Sequence, residues 1–170
     1  MTPALVVISG RPGAGKTTLA HAVARGAGCP AICRDEIREG MAHAGTSDPT
    51  MMRTFETFFA TVELLLRAGV TVVAEAAFQD KLWRPRLEPL AGLARIRVVR
   101  CDVDPAVARD RIERRRRTEA ARAAHGDRAW LDGPPPEWTP IALDVPALVV
   151  DTTDGYSPAL PEIIAFARAD

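Results

Sequence analysis

The sequence predicts a three-layer α/β/α domain built on a five-stranded parallel sheet. Three observations lead there. Residues 4–9 (ALVVIS) form a continuous apolar run, the pattern of a strand buried on both faces. Strand-like and helix-like segments then alternate to the end of the chain, as in βαβ units. The chain has 170 residues, with 47% hydrophobic and 26% charged side chains, which suits one domain spanning 1–170 with a proper core.

The elements follow in order. A helix is expected over 17–25, a short strand over 30–33 and a helix over 36–43. The clearest helix is 50–68: Met51, Phe55, Phe58, Val62 and Leu65 recur every three or four residues and line one face. Gly69 ends it. Residues 70–75 (VTVVAE) read as the third strand, and 81–93 as a helix kinked by Pro85 and Pro89. A fourth strand over 96–101 leads to a helix over 105–117, with Pro105 in its first turn. A fifth strand, 148–151, and a helix over 158–169 close the chain. Residues 118–140 show no periodicity and are rich in Ala and Arg, then in Pro and Gly. Loops of this length are usually functional or disordered.

Composition excludes several classes. The balance of 22 basic and 22 acidic residues argues against a protein that coats nucleic acid. The longest apolar runs are far shorter than the ~20 residues that span a bilayer, and no signal peptide is visible. Cys29, Cys33 and Cys101 form no disulfide framework, which fits a reducing cytoplasm. By sequence spacing, Cys29 and Cys33 lack acidic or histidine partners, so no zinc site is expected.

The chemistry concentrates after the first strand. Gly10, Arg11, Pro12, Gly13, Ala14, Gly15, Lys16 and Thr17 fit G-x-x-x-x-G-K-[ST], the phosphate-binding P-loop, and Thr18 follows. Glycines let the backbone curl its N–H groups toward anionic oxygens, and the helix that starts there adds its positive dipole end. Lys16 would reach the β- and γ-phosphates, and the Thr17 hydroxyl would bind Mg²⁺. Only Lys16 and Lys81 are lysines among the 22 basic residues. A chain that otherwise uses arginine keeps a compact ammonium where a planar guanidinium would not fit. ATP and Mg²⁺ are therefore the expected cofactors.

The chain has no asparagine, so the guanine-reading NKxD motif of GTPases is absent. A ring-forming motor would need a helical lid domain and a longer chain. A small phosphotransferase remains. GRPGAGKTT followed by CRDEIREGMAHAG resembles the small P-loop kinases related to phage polynucleotide kinase and zeta toxins, often grouped loosely with AAA family ATPases. That resemblance implies that Asp35 is the base on the acceptor hydroxyl and that Arg38 contacts substrate or phosphate. The residues agree: transfer to a hydroxyl needs a carboxylate near the acceptor and cations around the migrating group. Asp35 and Arg38, three apart, share one helix face. The plainer role for Asp35 is an N-cap of the 36–43 helix.

Glu75 ends the third strand, and carboxyl ends of parallel strands face the ligand crevice. It would hold the Mg²⁺ shell or grip the acceptor, unless it is an edge salt bridge. The family often has Asp there. Arg109, Arg111 and Arg114–Arg117 crowd one helix, whose inward face is Ala108 and Ile112. The RIERR run resembles the start of the mobile lid in adenylate-kinase-like enzymes. The likeness implies that Arg111 stacks on adenine, that Arg115 reaches the phosphates, and that an arginine-rich lid spans about 114–140. The DTT loop at 151–153 resembles the adenine-side loop of gluconate- and shikimate-kinase-like enzymes and places Thr153 near the base. The alternative is a simple helix cap. His43 reads as a surface histidine and Phe55 and Phe58 as core rather than a stacking shelf. Arg84 and Arg86 are either anion ligands or solvated, and Trp130 and Trp138 are placed to cover the site.

The expected function is ATP- and Mg²⁺-dependent transfer to a hydroxyl on a small molecule, a nucleoside or a polynucleotide 5′ end, with no membrane partner and the oligomeric state open. The rivals are a nucleotide-binding regulatory module without transfer and a toxin-like sugar-nucleotide kinase.

Overall fold

A computed structural model describes residues 2–46, 51–118 and 138–169. Among them, β1 (Ala4–Gly10), α1 (Lys16–Ala27), β2 (Ala31–Cys33), α2 (Arg34–His43), α3 (Met52–Arg67), β3 (Val72–Glu75) and α4 (Asp80–Leu87) form the first half. A 3₁₀ turn, Glu88–Gly92, leads to β4 (Arg95–Asp102), α5 (Pro105–Thr118), β5 (Ala147–Asp151) and α6 (Leu160–Arg168). The strands run parallel in the order β2-β3-β1-β4-β5.

Alternation within β1 builds the three layers. Leu5 and Val7 point to one face and pack with Phe58, Val62 and Val72 beneath α3 and α4. Val6 and Ile8 point to the other and pack with Leu19, Val23 and Ile163 beneath α1 and α6. All seven residues of β1 are buried, which is why its sequence does not alternate in polarity. On the α3 face, Phe55, Phe58, Phe59, Phe78 and Trp83 interlock edge to face, with Phe55 and Phe78 each 4.8 Å from Trp83 between ring centroids. Such pairs add to plain burial. Phe58 is thus core, as its helical spacing predicts, whereas Phe55, though packed in the same cluster, also borders the cleft described below.

Two expected boundaries move. Helix 36–43 begins at Arg34, because β2 ends at Cys33 in extended backbone and passes straight into the helix. Asp35 therefore lies inside the first turn and is not the N-cap. The helix expected over 81–93 is two pieces: α4 tolerates Pro85, and the chain tightens to 3₁₀ where Pro89 enters. The expected lid falls largely on residues 119–137, which with Trp130 lie outside the described residues.

No helix among the described residues is long and apolar enough to cross a membrane.

Candidate active site

The carboxyl ends of β1, β2 and β3 border a cleft of about 940 Å³. Its floor is the loop between β1 and α1. Gly15 takes left-handed dihedrals (φ 72°, ψ 15°) as the N-cap of α1, with no side-chain cap. The first turn carries no acidic residue, so its N–H groups and the dipole are left to an anionic ligand. Lys16 Nζ donates to the Arg11 carbonyl at 3.0 Å, bent back over its own loop.

The folded chain brings Lys16, Thr17, Asp35, Arg38, Glu75 and Arg115 to this one cleft, although they come from four separate elements. Pro12, Gly13, Gly15 and Thr18 line it as well. Gly10 and Ala14 do not border it. Gly10 ends β1, and Ala14 is fully buried with its carbonyl accepting from the Thr152 hydroxyl at 2.9 Å. Arg11 lies over the Trp138 ring, 5.8 Å from its centroid, and Trp138 Nε1 donates to the Ala77 carbonyl at 3.0 Å. Trp138 therefore does wall the cleft.

Arg111 points beneath the floor. Its guanidinium donates to the carbonyls of Thr152 (2.7 Å), Thr153 (3.2 Å) and Gly13 (3.4 Å). It ties the loop after β5 to the phosphate loop. The Thr153 hydroxyl accepts from the Asp104 N–H at 3.0 Å, and the Thr153 N–H donates to the Asp151 carboxylate at 2.8 Å. That bond holds the Asp151 carboxyl below the usual range. The DTT loop is thus an Asx-type turn well before α6, not its cap. Sequence reasoning missed Thr152, whose buried hydroxyl shares its one proton between the Ala14 carbonyl and the Asp102 carbonyl, 3.0 Å away. No motif marks such a clamp across 138 residues.

Other candidates are placed elsewhere. Arg86 pairs with Glu56 at 2.8 Å and lies over Phe55 and Phe59. Arg84 sits between Asp80 and Glu88. Neither borders the cleft. Arg109 and Arg117 both face Glu113. His43 is exposed at the end of α2.

Thr17 and Glu75 fit a hard cation. The Thr17 hydroxyl donates to Glu75 Oε2 at 3.1 Å, close to the ~2.9 Å that separates adjacent ligands of an octahedral Mg²⁺ site. Glu75 is 3% exposed. Burial pushes its carboxyl above the usual range, Lys16 and the Thr17 hydroxyl oppose this, and Asp35 and Glu36 add to it. An acid raised in this way binds more protons folded than unfolded. Stability therefore falls as pH rises from the ordinary value of 4.5 through the folded one. Glu75→Gln, free of metal and nucleotide, is expected to melt about 2–4 °C higher at pH 7, the shift that ~1 kcal/mol gives in a chain of this size. The gain should vanish below the unfolded pKa, and Mg²⁺ with ATP should stabilise the variant less than the wild type. Calorimetric melting across pH checks both.

A parallel sheet with a glycine-rich loop, a lysine and a threonine opening the following helix, and acids at neighbouring strand ends, defines the P-loop nucleotide-binding class. Residues 5–133 match the family profile of the AAA domain, and the chain belongs to that family. No curated protein matches the chain at a significant level. Among solved structures it resembles a candidate kinase from Chloroflexus aurantiacus at 26% identity and TM-score 0.82, covering 99% of this chain and 98% of that one. It resembles the APS kinase of Mycobacterium tuberculosis, solved with AMPPNP and APS, at 19% identity and TM-score 0.68, covering 99% of each. A gluconokinase from Sinorhizobium meliloti is similar at 20% identity and TM-score 0.54, covering 98% of this chain and 90% of that one. The last two establish the shared fold.

Proposed function

We propose that this protein transfers the γ-phosphoryl group of ATP to a hydroxyl acceptor. One observation carries the reading: the phosphate loop and the Asp35–Arg38 face of α2 open on the same cleft. The loop N–H groups and Lys16 hold the phosphates. Thr17 and Glu75 would hold Mg²⁺, which when bound offsets phosphate charge. Asp35 takes the acceptor proton as the new O–P bond forms and the bond to the β-phosphate oxygen breaks. Arg38 and Arg115 flank the migrating group. Arg111 and Thr153 shape the adenine side. The acceptor is a small molecule or a nucleic-acid 5′ end; the likeness to an APS kinase and a gluconokinase supports a kinase.

An acceptor screen with γ-labelled ATP tests this. It should contain 5′-hydroxyl DNA and RNA, nucleosides, sugars and aminoglycoside-like compounds. Wild type is expected to label one class, and Lys16→Ala to label none. Label confined to ATP and free phosphate with every acceptor would overturn the transferase reading and leave a nucleotide-binding module.

A further inference from the structure

At the rim of the cleft, which His21 lines, folding brings that histidine to Cys33 and Glu36. His21 comes from α1, Cys33 from the end of β2, and Glu36 from the first turn of α2. His21 Nε2 lies 2.7 Å from Glu36 Oε1 and 3.9 Å from Cys33 Sγ. All three donor atoms fall within 4.8 Å of one another. Cys33, which sequence spacing leaves without ligand partners, has them in the fold, one 12 residues before it and one three after.

Three features separate this group from an ordinary histidine–carboxylate pair. First, a thiol stands in it. Cys33 is 2% exposed and packs at the edge of the core beneath α1, with its sulfur 3.9 Å from the His21 imidazole. A thiol, an imidazole and a carboxylate from three elements converge on one point, a donor set that a dication can bridge. Second, the donors are sulfur, nitrogen and oxygen. Hard cations such as Mg²⁺ take oxygen, whereas thiolate with imidazole selects Zn²⁺ and similar ions. Third, the spacing is near what such an ion needs. Bonds of about 2.0–2.3 Å in tetrahedral array put donors roughly 3.3–3.6 Å apart. The His21–Glu36 separation must open and the His21–Cys33 separation must close, each by well under 1 Å, and Cys33 and Glu36, within 4.8 Å of each other, close by about 1 Å or less through a turn of the exposed Glu36 side chain.

We propose that His21, Cys33 and Glu36 form a binding site for a zinc-class dication, separate from the Thr17–Glu75 position. Binding replaces the Cys33 S–H bond with an S–metal bond, and the proton leaves to solvent. The ion joins α1 to the start of α2, and so fastens the helix that carries Asp35 and Arg38 onto the helix that follows the phosphate loop. The site does not depend on the transfer reaction, so it stands or falls independently of that reading.

Co²⁺ is the probe, titrated into the full, metal-free chain. A thiolate-to-cobalt charge-transfer band in the near ultraviolet is expected, saturating at one equivalent and displaced by Zn²⁺ but not by millimolar Mg²⁺. Cys33→Ser should remove the band, and Glu36→Gln and His21→Gln should each weaken Co²⁺ binding at least tenfold. Cys29→Ser should leave it unchanged. Zn²⁺ should raise the melting temperature of the wild type and not that of Glu36→Gln, whose surface position lets it fold even where Cys33→Ser does not. Absence of the band, its survival in Cys33→Ser, equal Co²⁺ affinity in Glu36→Gln, or its displacement by Mg²⁺ would each overturn the site.

Discussion

Asp35→Asn is expected to lower kcat for phosphoryl transfer by about 10²–10⁴, the usual contribution of a positioned general base, while ATP binding stays within about threefold of wild type. The two expectations separate because Asp35 and the phosphate loop belong to different elements. Asp35 sits in the first turn of α2, half exposed, with Arg34 Nη1 3.1 Å from Oδ1. Asparagine keeps the shape and still accepts from Arg34 through its carbonyl oxygen. It cannot take a proton. The phosphates are gripped by the loop after β1, which the substitution does not touch. The half-exposed position also predicts a melting temperature close to wild type, since surface changes rarely exceed ±0.5 kcal/mol. Single-turnover kinetics with the identified acceptor, and calorimetry with ATP, read the two arms. Wild-type kcat in Asp35→Asn would move the base elsewhere, and Glu75 would be the next carboxylate to test.

Much of this was legible because it is local. Residues 4–17 carry a buried strand, a turn and a helix start in one uninterrupted run, so both the sheet's central strand and the phosphate cradle could be read from order alone. The helical spacing of Phe55, Phe58 and Val62 gave the packed face of α3 for the same reason. What could not be read depends on contacts across the chain. Thr152 donates to Ala14 from 138 residues away. His21 meets Cys33 only because α1 packs beside β2. The RIERR context of Arg111 carries no sign that its guanidinium donates to three backbone carbonyls from two other loops. Asp35 was legible as a carboxylate one turn from Arg38, but its place inside the helix depended on where β2 stops. That boundary is set by pairing of Cys33 with Glu75 on β3, which no local pattern encodes.

Gly13→Ala should damage both stability and nucleotide binding, and the reason lies in α5 rather than in the ligand. Gly13 has φ 80°, a conformation that costs an L-residue about 1–2 kcal/mol. A Cβ there would stand 2.6 Å from the Ala108 carbonyl oxygen and 3.0 Å from its carbonyl carbon and Cα. Those are backbone atoms in the first turn of α5, held by the Ala108 N–H bond to the Asp104 carbonyl at 2.9 Å, so no side chain can swing aside. The loop must lift instead. Lifting stretches the Arg111 bond to the Gly13 carbonyl and pulls on the Thr152 bond to Ala14, which displaces the N–H groups that face the phosphates. ATP affinity is expected to fall at least tenfold, ~1.4 kcal/mol, with a loss of about 4 °C or more in melting temperature. Gly28→Ala supplies the comparison. Gly28 has φ 72° and an added Cβ would meet nothing within 4 Å, so it carries the backbone strain without the collision and lies at the far end of α1. It should lose stability and keep its ATP affinity. Equal ATP affinity in Gly13→Ala and wild type would mean that the close approach of α5 does not hold the phosphate loop in shape.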